Sequence, residues 1–202
     1  MKQYDVRIKF LSETMLGSGM AVPGVIDNDI RHDNNGLPYM NAKTFKGHIR
    51  EQMEFLKKYD KSYRDIDIYG LLGSDDKDSE KKLGKIKFSE VSMPQSVKEA
   101  LKQAVNNGKL SKSEVLNSIT VIYTRTRINE FGVAEAHSLR KERELKKNLM
   151  LETKIYTEDL TDEELKMLYE SVKALKHIGM HKSKGKGLVE CSIEPAKEGG
   201  DI

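Results

Sequence analysis

Features that mark secreted, membrane-spanning or thiolate-metal proteins are scarce in this sequence. It holds one cysteine, Cys191, which excludes an internal disulfide and a zinc site built from cysteines. Cys191 lies in an alternating apolar run, which indicates a buried structural thiol. No apolar run approaches the length needed to span a bilayer, and the first residues begin an alternating strand instead of a signal peptide. We therefore predict a cytoplasmic protein with no membrane partner.

The net charge is also small, since 35 basic and 32 acidic residues leave +3. Whole-chain charge thus argues neither for nor against a polyanionic partner, and only local clusters are informative. A length of 202 residues suits one domain and suffices to bury a core without disulfide or metal support. We predict a single domain over residues 1–202, with insertions at about 12–40, 60–84 and 128–148.

Hydrophobic spacing predicts both strands and helices. Apolar residues at every second position from 4 to 10 predict a half-buried strand. Helical spacing runs from Thr44, a candidate N-cap, to about residue 59, and a capping box at Thr161 and Glu164 begins a second long helix. Further strands are predicted at 85–91, 120–127, 149–155 and 188–193, and shorter helices at 96–105 and 113–118.

The main elements follow the order strand, helix, strand, strand, helix, strand, which is that of a split βαβ unit. We predict an α+β fold with a ferredoxin-like (RRM-like) βαββαβ core and inserted loops. Residues 12–40 are rich in turn formers and predict a long loop, called here the acid loop. Residues 128–148 are charged and weakly periodic, and we interpret them as a projecting insertion.

The most basic segment lies between the last predicted helix and the last predicted strand. Residues 179–187, called here the glycine-lysine loop, carry three lysines and no acid. Glycine lets a backbone approach phosphate closely and lysine supplies charge. The loop therefore predicts a polyanion site made of Gly179, Gly185, Gly187, Lys182, Ser183, Lys184 and Lys186. A solvated turn that uses glycine only to leave the helix is an equal alternative.

A second basic cluster begins the first predicted helix. The N–H groups at a helix start attract phosphate. Gly47 costs the helix about 1 kcal/mol relative to alanine, which indicates that something packs or binds closely at that turn. The candidate phosphate ligands here are Lys43, Thr44, Lys46 and Arg50. An ordinary surface helix start is the alternative.

The acid loop and a third basic cluster are less specific. Asp27, Asp29 and Asp33 lie in the acid loop, where carboxylates could bind a divalent metal or accept a proton from a ribose hydroxyl. Aspartates that form turns are more often structural. Arg125 and Arg127 begin a basic cluster that is interleaved with glutamates, and this cluster is either a binding arm or a solvated face.

The segment 27–50 resembles the signature of the RAMP superfamily, the repeat-associated RNA-binding proteins of CRISPR systems. In that signature an aspartate and an arginine precede a Gly-x-Pro-Tyr turn and a Lys-Gly-x-x-Arg helix, which Lys46, Gly47 and Arg50 match. Residues 69–74 resemble the Leu-Phe-Gly-Ser segment of type III backbone subunits, and the glycine-lysine loop stands where the family has a glycine-rich loop. Two departures mark a divergent branch: Asn-Ala-Lys-Thr replaces Pro-Gly-Ser-Ser, and the late loop has fewer consecutive glycines.

The resemblance implies a subunit that stacks with copies of itself and with other effector subunits along a guide CRISPR RNA. Each copy would hold the guide backbone, with 128–148 as a thumb that kinks the guide, while base pairing reads the sequence. The resemblance also implies an antiviral endoribonuclease (a hydrolase) that cleaves target RNA. Asp27 would be its catalytic residue and the tentative ligand of a divalent metal, Mg²⁺ or Mn²⁺.

Three other readings stay open. The same fold could be a non-catalytic scaffold or capping subunit of the complex. It could be an endoribonuclease that processes the guide, with His32, His48 or His181 as acid or base. It could also be a ferredoxin-like domain that binds something other than RNA, in which case no salt-dependent RNA affinity is expected.

Overall fold

The computed structural model describes residues 1–73 and 83–196. Most of the tip of the predicted insertion at 60–84 therefore lies outside the described residues. The strands are β1 (Lys2–Phe10), β2 (Tyr39–Met40), β3 (Ile86–Phe88), β4 (Val91–Ser92), β5 (Thr120–Arg125), β6 (Arg140–Leu145), β7 (Met150–Thr157) and β8 (Val189–Pro195). The helices are α1 (Ala42–Tyr59), α2 (Ile68–Leu72), α3 (Gln95–Asn106), α4 (Lys112–Ile119) and α5 (Asp162–Ala174).

The main sheet has the strand order of a ferredoxin-like core. Strand β1 lies in the middle and pairs antiparallel with β7 on one side and β8 on the other. Strands β3 and β4 both pair with β7, and β2 extends the sheet beyond β4. With α1 after β1 and α5 after β7, this is the predicted βαββαβ arrangement, so the predicted α+β fold class is confirmed.

The core forms because one face of the sheet is apolar and two helices cover it. The alternate residues Val6, Ile8 and Phe10 of β1 are fully buried. Helix α1 contributes Phe45, Ile49 and Met53 at helical spacing, and α5 contributes Met167, Leu168 and Val172. The capping box of Thr161 and Glu164 that the sequence predicts at the start of α5 is present. None of the described helices is long and apolar enough to cross a membrane.

Thr44 is not the N-cap of α1. The helix begins earlier, because Asn41 adopts an extended conformation and its carbonyl accepts hydrogen bonds from the N–H groups of Thr44 (3.0 Å) and Phe45 (3.2 Å). The side chain of Asn41 makes no capping hydrogen bond. Thr44 therefore lies within the first turn of the helix, where it is exposed.

The predicted projecting insertion at 128–148 is partly a strand. Residues 140–145 form β6, which pairs antiparallel with β5 in a separate two-stranded sheet. The sequence does not show this strand, because three of its four consecutive buried residues are charged: Glu142, Arg143 and Glu144 are buried in ion pairs, and only Leu145 is apolar. The projecting part is confined to the connection at 126–139, called here the hairpin tip.

The buried charges of β6 face two different segments. Glu144 is fully buried and binds Arg125 and the ammonium of Lys186, the latter at 2.9 Å. Glu142 contacts Arg125 at 2.8 Å and His181 at 3.1 Å. Through these contacts the two glutamates join the β5–β6 hairpin to the glycine-lysine loop.

Arg143, between the two glutamates, joins the hairpin to the acid loop. Its Nε donates to Asp29 Oδ1 at 3.0 Å, and its Nη1 donates to Thr120 Oγ1 at 3.0 Å. Asn28 Nδ2 donates to Glu142 Oε1 at 2.9 Å from the same loop. Asp29 therefore has a structural role, which is the more common role of aspartates in turns.

Removal of the Glu144 charge should destabilise the fold much more than removal of an exposed glutamate charge. We expect Glu144→Gln to lower the free energy of unfolding by about 3 kcal/mol, because Lys186 and Arg125 lose a buried partner. Glu152→Gln is the control, since Glu152 pairs with Arg7 at 3.7 Å on the surface and should cost at most about 1 kcal/mol. Urea unfolding measures both, and equal small losses would contradict the role assigned to Glu144.

Candidate nucleic-acid interface

A groove of about 260 Å³ lies between the start of α1, the glycine-lysine loop and the acid loop. The sequence predicts a phosphate site at the start of α1 and another at the glycine-lysine loop, and residues of both elements line this groove. Its lining residues are Asn41, Thr44 and His48 from α1, Ile178, Gly179 and Met180 from the loop and the residue before it, and Leu16, Gly17, Arg31, Tyr39 and Met40 from the acid loop.

The base of the glycine-lysine loop is fixed by backbone hydrogen bonds. The N–H of Met180 donates to the carbonyl of Met15 at 3.0 Å, and the N–H of Gly187 donates to the backbone carbonyl of Glu13 at 3.0 Å. Gly179 and Gly187 have positive φ and approach other backbone so closely that a Cβ would clash with the carbonyls of Met15 and Ile178. These two glycines are therefore required by the chain's own packing.

The middle of the loop is open by contrast. Gly185 also has positive φ, at 74°, but no described atom lies within 4 Å of the place where its Cβ would stand. Lys182, Ser183 and Lys184 form an exposed 3-10 turn beside it. The predicted approach of a phosphate to this part of the loop is thus sterically open.

Lys186 differs from the other two lysines of the loop. Its ammonium lies 2.9 Å from Glu144, 3.4 Å from Glu13 and 4.4 Å from the ring centre of Tyr123. Burial alone would lower the pKa of Lys186, but the hydrogen bond and charge of Glu144 outweigh burial and raise it. Lys186 therefore serves the ion network, and its predicted RNA contact stays a prediction.

The basic residues of α1 are partly engaged within the chain. Lys46 Nζ donates to the carbonyl of Leu72 at 3.3 Å, and Arg50 Nη2 donates to that of Gly73 at 2.8 Å. Both thus satisfy carbonyls at the end of α2. Lys43 is exposed on the first turn. Gly47 is exposed too, and no described atom lies within 4 Å of its Cβ position, so packing within the described chain does not explain this glycine.

The two predicted arginines of the third cluster have different surroundings. Arg125 is bound between Glu142 and Glu144 and lies over Tyr123, so it belongs to the buried network. Arg127 is exposed at the hairpin tip and contacts Glu135 at 3.4 Å. Of these two arginines, Arg127 is the one that presents its charge mainly to solvent.

Asp27, the predicted catalytic residue, is exposed beside the start of β6. Its Oδ2 accepts a hydrogen bond from the N–H of Lys141 at 2.7 Å, and its own N–H donates to the Lys141 carbonyl at 2.9 Å. Among the residues that the structure describes, no three His, Cys, Asp or Glu side chains gather to hold a metal ion. Mg²⁺ often uses one or two carboxylates together with substrate phosphates, so Asp27 fits as one such ligand.

The three candidate histidines have different surroundings. His48 lines the groove, whereas His181 contacts Glu142, and His32 Nδ1 lies 3.2 Å from the carbonyl of Asp33. Burial, together with the nearby charge of Lys182, lowers the pKa of His48 below its ordinary value. His48 is therefore neutral at pH 7 and can both donate and accept a hydrogen bond.

Sequence patterns did not identify two residues of this interface. Neither Arg31 nor Met180 is among the residues that the sequence predicts to contact RNA, yet both line the groove. The positions are set by isolated bridges that pair Gly17 with Ile30 and Met15 with Met180. Such single pairings between loops have no periodicity in sequence.

The lowered pKa of His48 makes a prediction about acid stability. As pH falls through about 6.5, the unfolded chain binds a proton that the folded chain resists, so stability falls with pH. We expect urea unfolding of the wild type to lose more stability between pH 7.5 and 5.5 than that of His48→Gln. His137→Asn is the control, because His137 is exposed with positive φ that asparagine tolerates. An identical loss in wild type and His48→Gln would refute the assignment.

Comparison with known proteins agrees with the fold. The family model of the RAMP superfamily matches residues 7–190. A chain from the type III-B Cmr-beta complex bound to cognate target RNA is similar with a TM-score of 0.69 and 16% identity, and the match covers 96% of this chain and 97% of that chain. A chain from Cmr-beta in the apo state has a TM-score of 0.67 and 15% identity, with 98% of each chain covered. A chain from a type IV-B CRISPR complex has a TM-score of 0.65 and 13% identity, with 99% of this chain and 93% of that chain covered. No curated protein matches in sequence. The family prediction is confirmed: the chain belongs to the RAMP superfamily.

Proposed function

We propose that the chain is a backbone subunit of a type III-like CRISPR effector complex that binds guide RNA and cleaves complementary target RNA. The observation that carries the proposal is the groove, which brings the start of α1 and the glycine-lysine loop to one place. Lys182 and Lys184 stand exposed at the loop, and Lys43 stands on the first turn of α1. Positive charge from two sides of a groove fits a phosphate backbone.

The outer face of the sheet, which RRM domains use for RNA, fits less well. RRM sheets stack bases on aromatic side chains. Here Arg7, in the middle of β1, lies 3.7 Å from Glu152 and 3.8 Å from Glu194 on the flanking strands. Acids and bases on this face thus neutralise each other, and the groove is the better interface.

The hairpin tip fits the thumb that the resemblance implies. Asn129 Oδ1 accepts hydrogen bonds from the N–H groups of Phe131 and Val133, which fixes a tight turn. Phe131 is 80% exposed at this turn, and Ile128, Val133 and Leu139 nearby are more than half exposed. An ordered apolar tip can wedge between stacked bases at low entropic cost. We assign the kinking of the guide to this tip.

Asp27 is assigned to target cleavage. A ribose 2′-hydroxyl would attack the neighbouring phosphorus, forming a 2′,3′-cyclic phosphate while the bond to the 5′-oxygen breaks and that oxygen takes a proton from water. The carboxylate of Asp27 would take the hydroxyl proton, held in place by the N–H of Lys141. A divalent ion bound by Asp27 and a phosphate would supply charge stabilisation. Other copies of the chain and other subunits would complete the complex.

One alternative has a specific observation in its favour. His48 is a neutral imidazole in the groove and could accept the ribose proton of a guide precursor without metal. In that case the chain would be a guide-processing endoribonuclease. If neither Asp27 nor His48 takes part in RNA cleavage, the chain is the non-catalytic scaffold or capping subunit.

The groove predicts that two lysines carry salt-dependent RNA affinity. We expect Lys182→Gln with Lys184→Gln to weaken single-stranded RNA binding about tenfold at 100 mM salt and to lower the salt slope by about 1.4, because two phosphate contacts are lost. Filter binding across salt concentrations measures both quantities.

The matched control is Lys102→Gln with Lys109→Gln, since these lysines are also exposed but lie on α3 and the turn after it. The control pair should leave the slope unchanged. Lys186 is left intact, because its loss would disturb the buried network. A double variant that binds as tightly as the control pair would overturn the interface.

Asp27→Asn separates catalysis from structure. Asparagine keeps an oxygen that accepts from the N–H of Lys141 but is a far weaker base, so we expect assembly and guide binding to persist while cleavage of complementary RNA falls at least a hundredfold. Asp33→Asn is the control, because Asp33 also accepts backbone N–H bonds in the acid loop, at 2.8 and 2.9 Å. Cleavage by the purified complex in Mg²⁺ is the measurement.

Three outcomes are distinguishable. Loss of cleavage in Asp27→Asn alone supports the catalytic assignment. Undiminished cleavage in that variant excludes the catalytic assignment of Asp27. A metal-independent cleavage of guide precursor that is lost in His48→Gln would support the guide-processing alternative instead.

A further inference from the structure

The groove has a property that backbone binding does not explain. The groove is lined mainly by apolar surface, and its apolar side chains, called here the floor, are those of Leu16, Met40, Ile178 and Met180. A phosphate needs hydrogen-bond donors and positive charge, which the exposed basic residues around the groove supply. It gains nothing from contact with aliphatic or thioether surface. The apolar floor therefore points to a second, less polar part of the same ligand.

Met180 is the side chain that shapes this floor. Its thioether covers Gly17, where a Cβ would stand 2.9 Å from Sδ, and the residue is nevertheless 47% exposed. An exposed methionine beside a glycine gives a flat, polarizable surface that suits the face of an aromatic ring. The backbone of Met180 is fixed by its hydrogen bond to Met15, so the surface is held in position.

Polar groups stand along one side of the same groove. Asn41, Thr44 and His48 face it from the first two turns of α1. A neutral imidazole, an amide and a hydroxyl can each donate and accept hydrogen bonds. Such groups match the edge of a heteroaromatic base better than they match a phosphate, which only accepts.

The volume also limits the ligand. About 260 Å³ lies just below the range of roughly 300–1,000 Å³ common for small-molecule pockets. One flat base fits in this space. The cationic rim, with Lys182 close enough to His48 to lower its pKa and Arg31 on the acid-loop side, is suited to the phosphates that flank it.

From these observations we propose that the groove holds one unstacked nucleobase of the bound RNA against Met180 and Gly17, with His48, Thr44 and Asn41 at the base edge. The proposal rests on the RNA binding of the proposed function and adds a base contact to it. A base held there is withdrawn from stacking and pairing, and the contact tolerates different bases because every base has an apolar face.

The test compares two ligands of equal charge: an oligouridylate and an abasic ribose-phosphate oligomer of the same length. The full chain should bind the oligouridylate about tenfold more tightly, as expected for single base contacts. Met180→Ala should weaken oligouridylate binding about fivefold and leave abasic binding unchanged, while Met180→Leu restores most of the affinity. Lys182→Gln should weaken both ligands equally, because it acts on phosphate.

Circular dichroism of each variant shows whether it is folded, and Met180→Leu keeps the test informative if the alanine variant is not. Equal binding of the two ligands by the wild type overturns the base site and leaves the proposed backbone binding intact. Equal weakening of both ligands by Met180→Ala also overturns it. Failure to bind either ligand at low salt overturns the proposed function and the base site together.

Discussion

The buried carboxylates Glu142 and Glu144 hold together three segments that are distant in sequence. They bind Arg125 on the neighbouring strand, Lys186 and His181 in the glycine-lysine loop and Asn28 in the acid loop. Charges buried in this way need full pairing to be tolerated, so the partners are held closely. The network thus fixes the β5–β6 hairpin, the glycine-lysine loop and the acid loop relative to one another.

One consequence is that the glycine-lysine loop has two different halves. Its ends are tied by Lys186 and by the close backbone contacts at Gly179 and Gly187, while Lys182 to Gly185 form an exposed turn. Because the ends of the loop are fixed, the lysines of the exposed turn can meet a phosphate with little loss of conformational entropy on binding. The network also fixes the hairpin below its apolar tip, so the tip and the loop are held in one arrangement.

Much of the fold could be predicted from sequence because its periodicity is strong. The alternation in β1, the apolar face of α1 and the capping box of α5 each encode their element locally, and the RAMP signature at 27–50 gave the family. Strand β6 could not be predicted, because buried ion pairs carry no hydrophobic period. For the site, the sequence identified the two basic elements but not Arg31 and Met180, whose places depend on single bridges between loops. It also could not tell that Lys46 and Arg50 satisfy the end of α2.

The central claim is that RNA lies in the groove between α1 and the glycine-lysine loop. Ultraviolet cross-linking of the RNA-bound protein, followed by mass spectrometry of the peptides, tests it most directly. The account predicts cross-links at residues 39–48 and 179–184. Cross-links confined to the outer face of β1, β7 and β8, with none in those two segments, would contradict it.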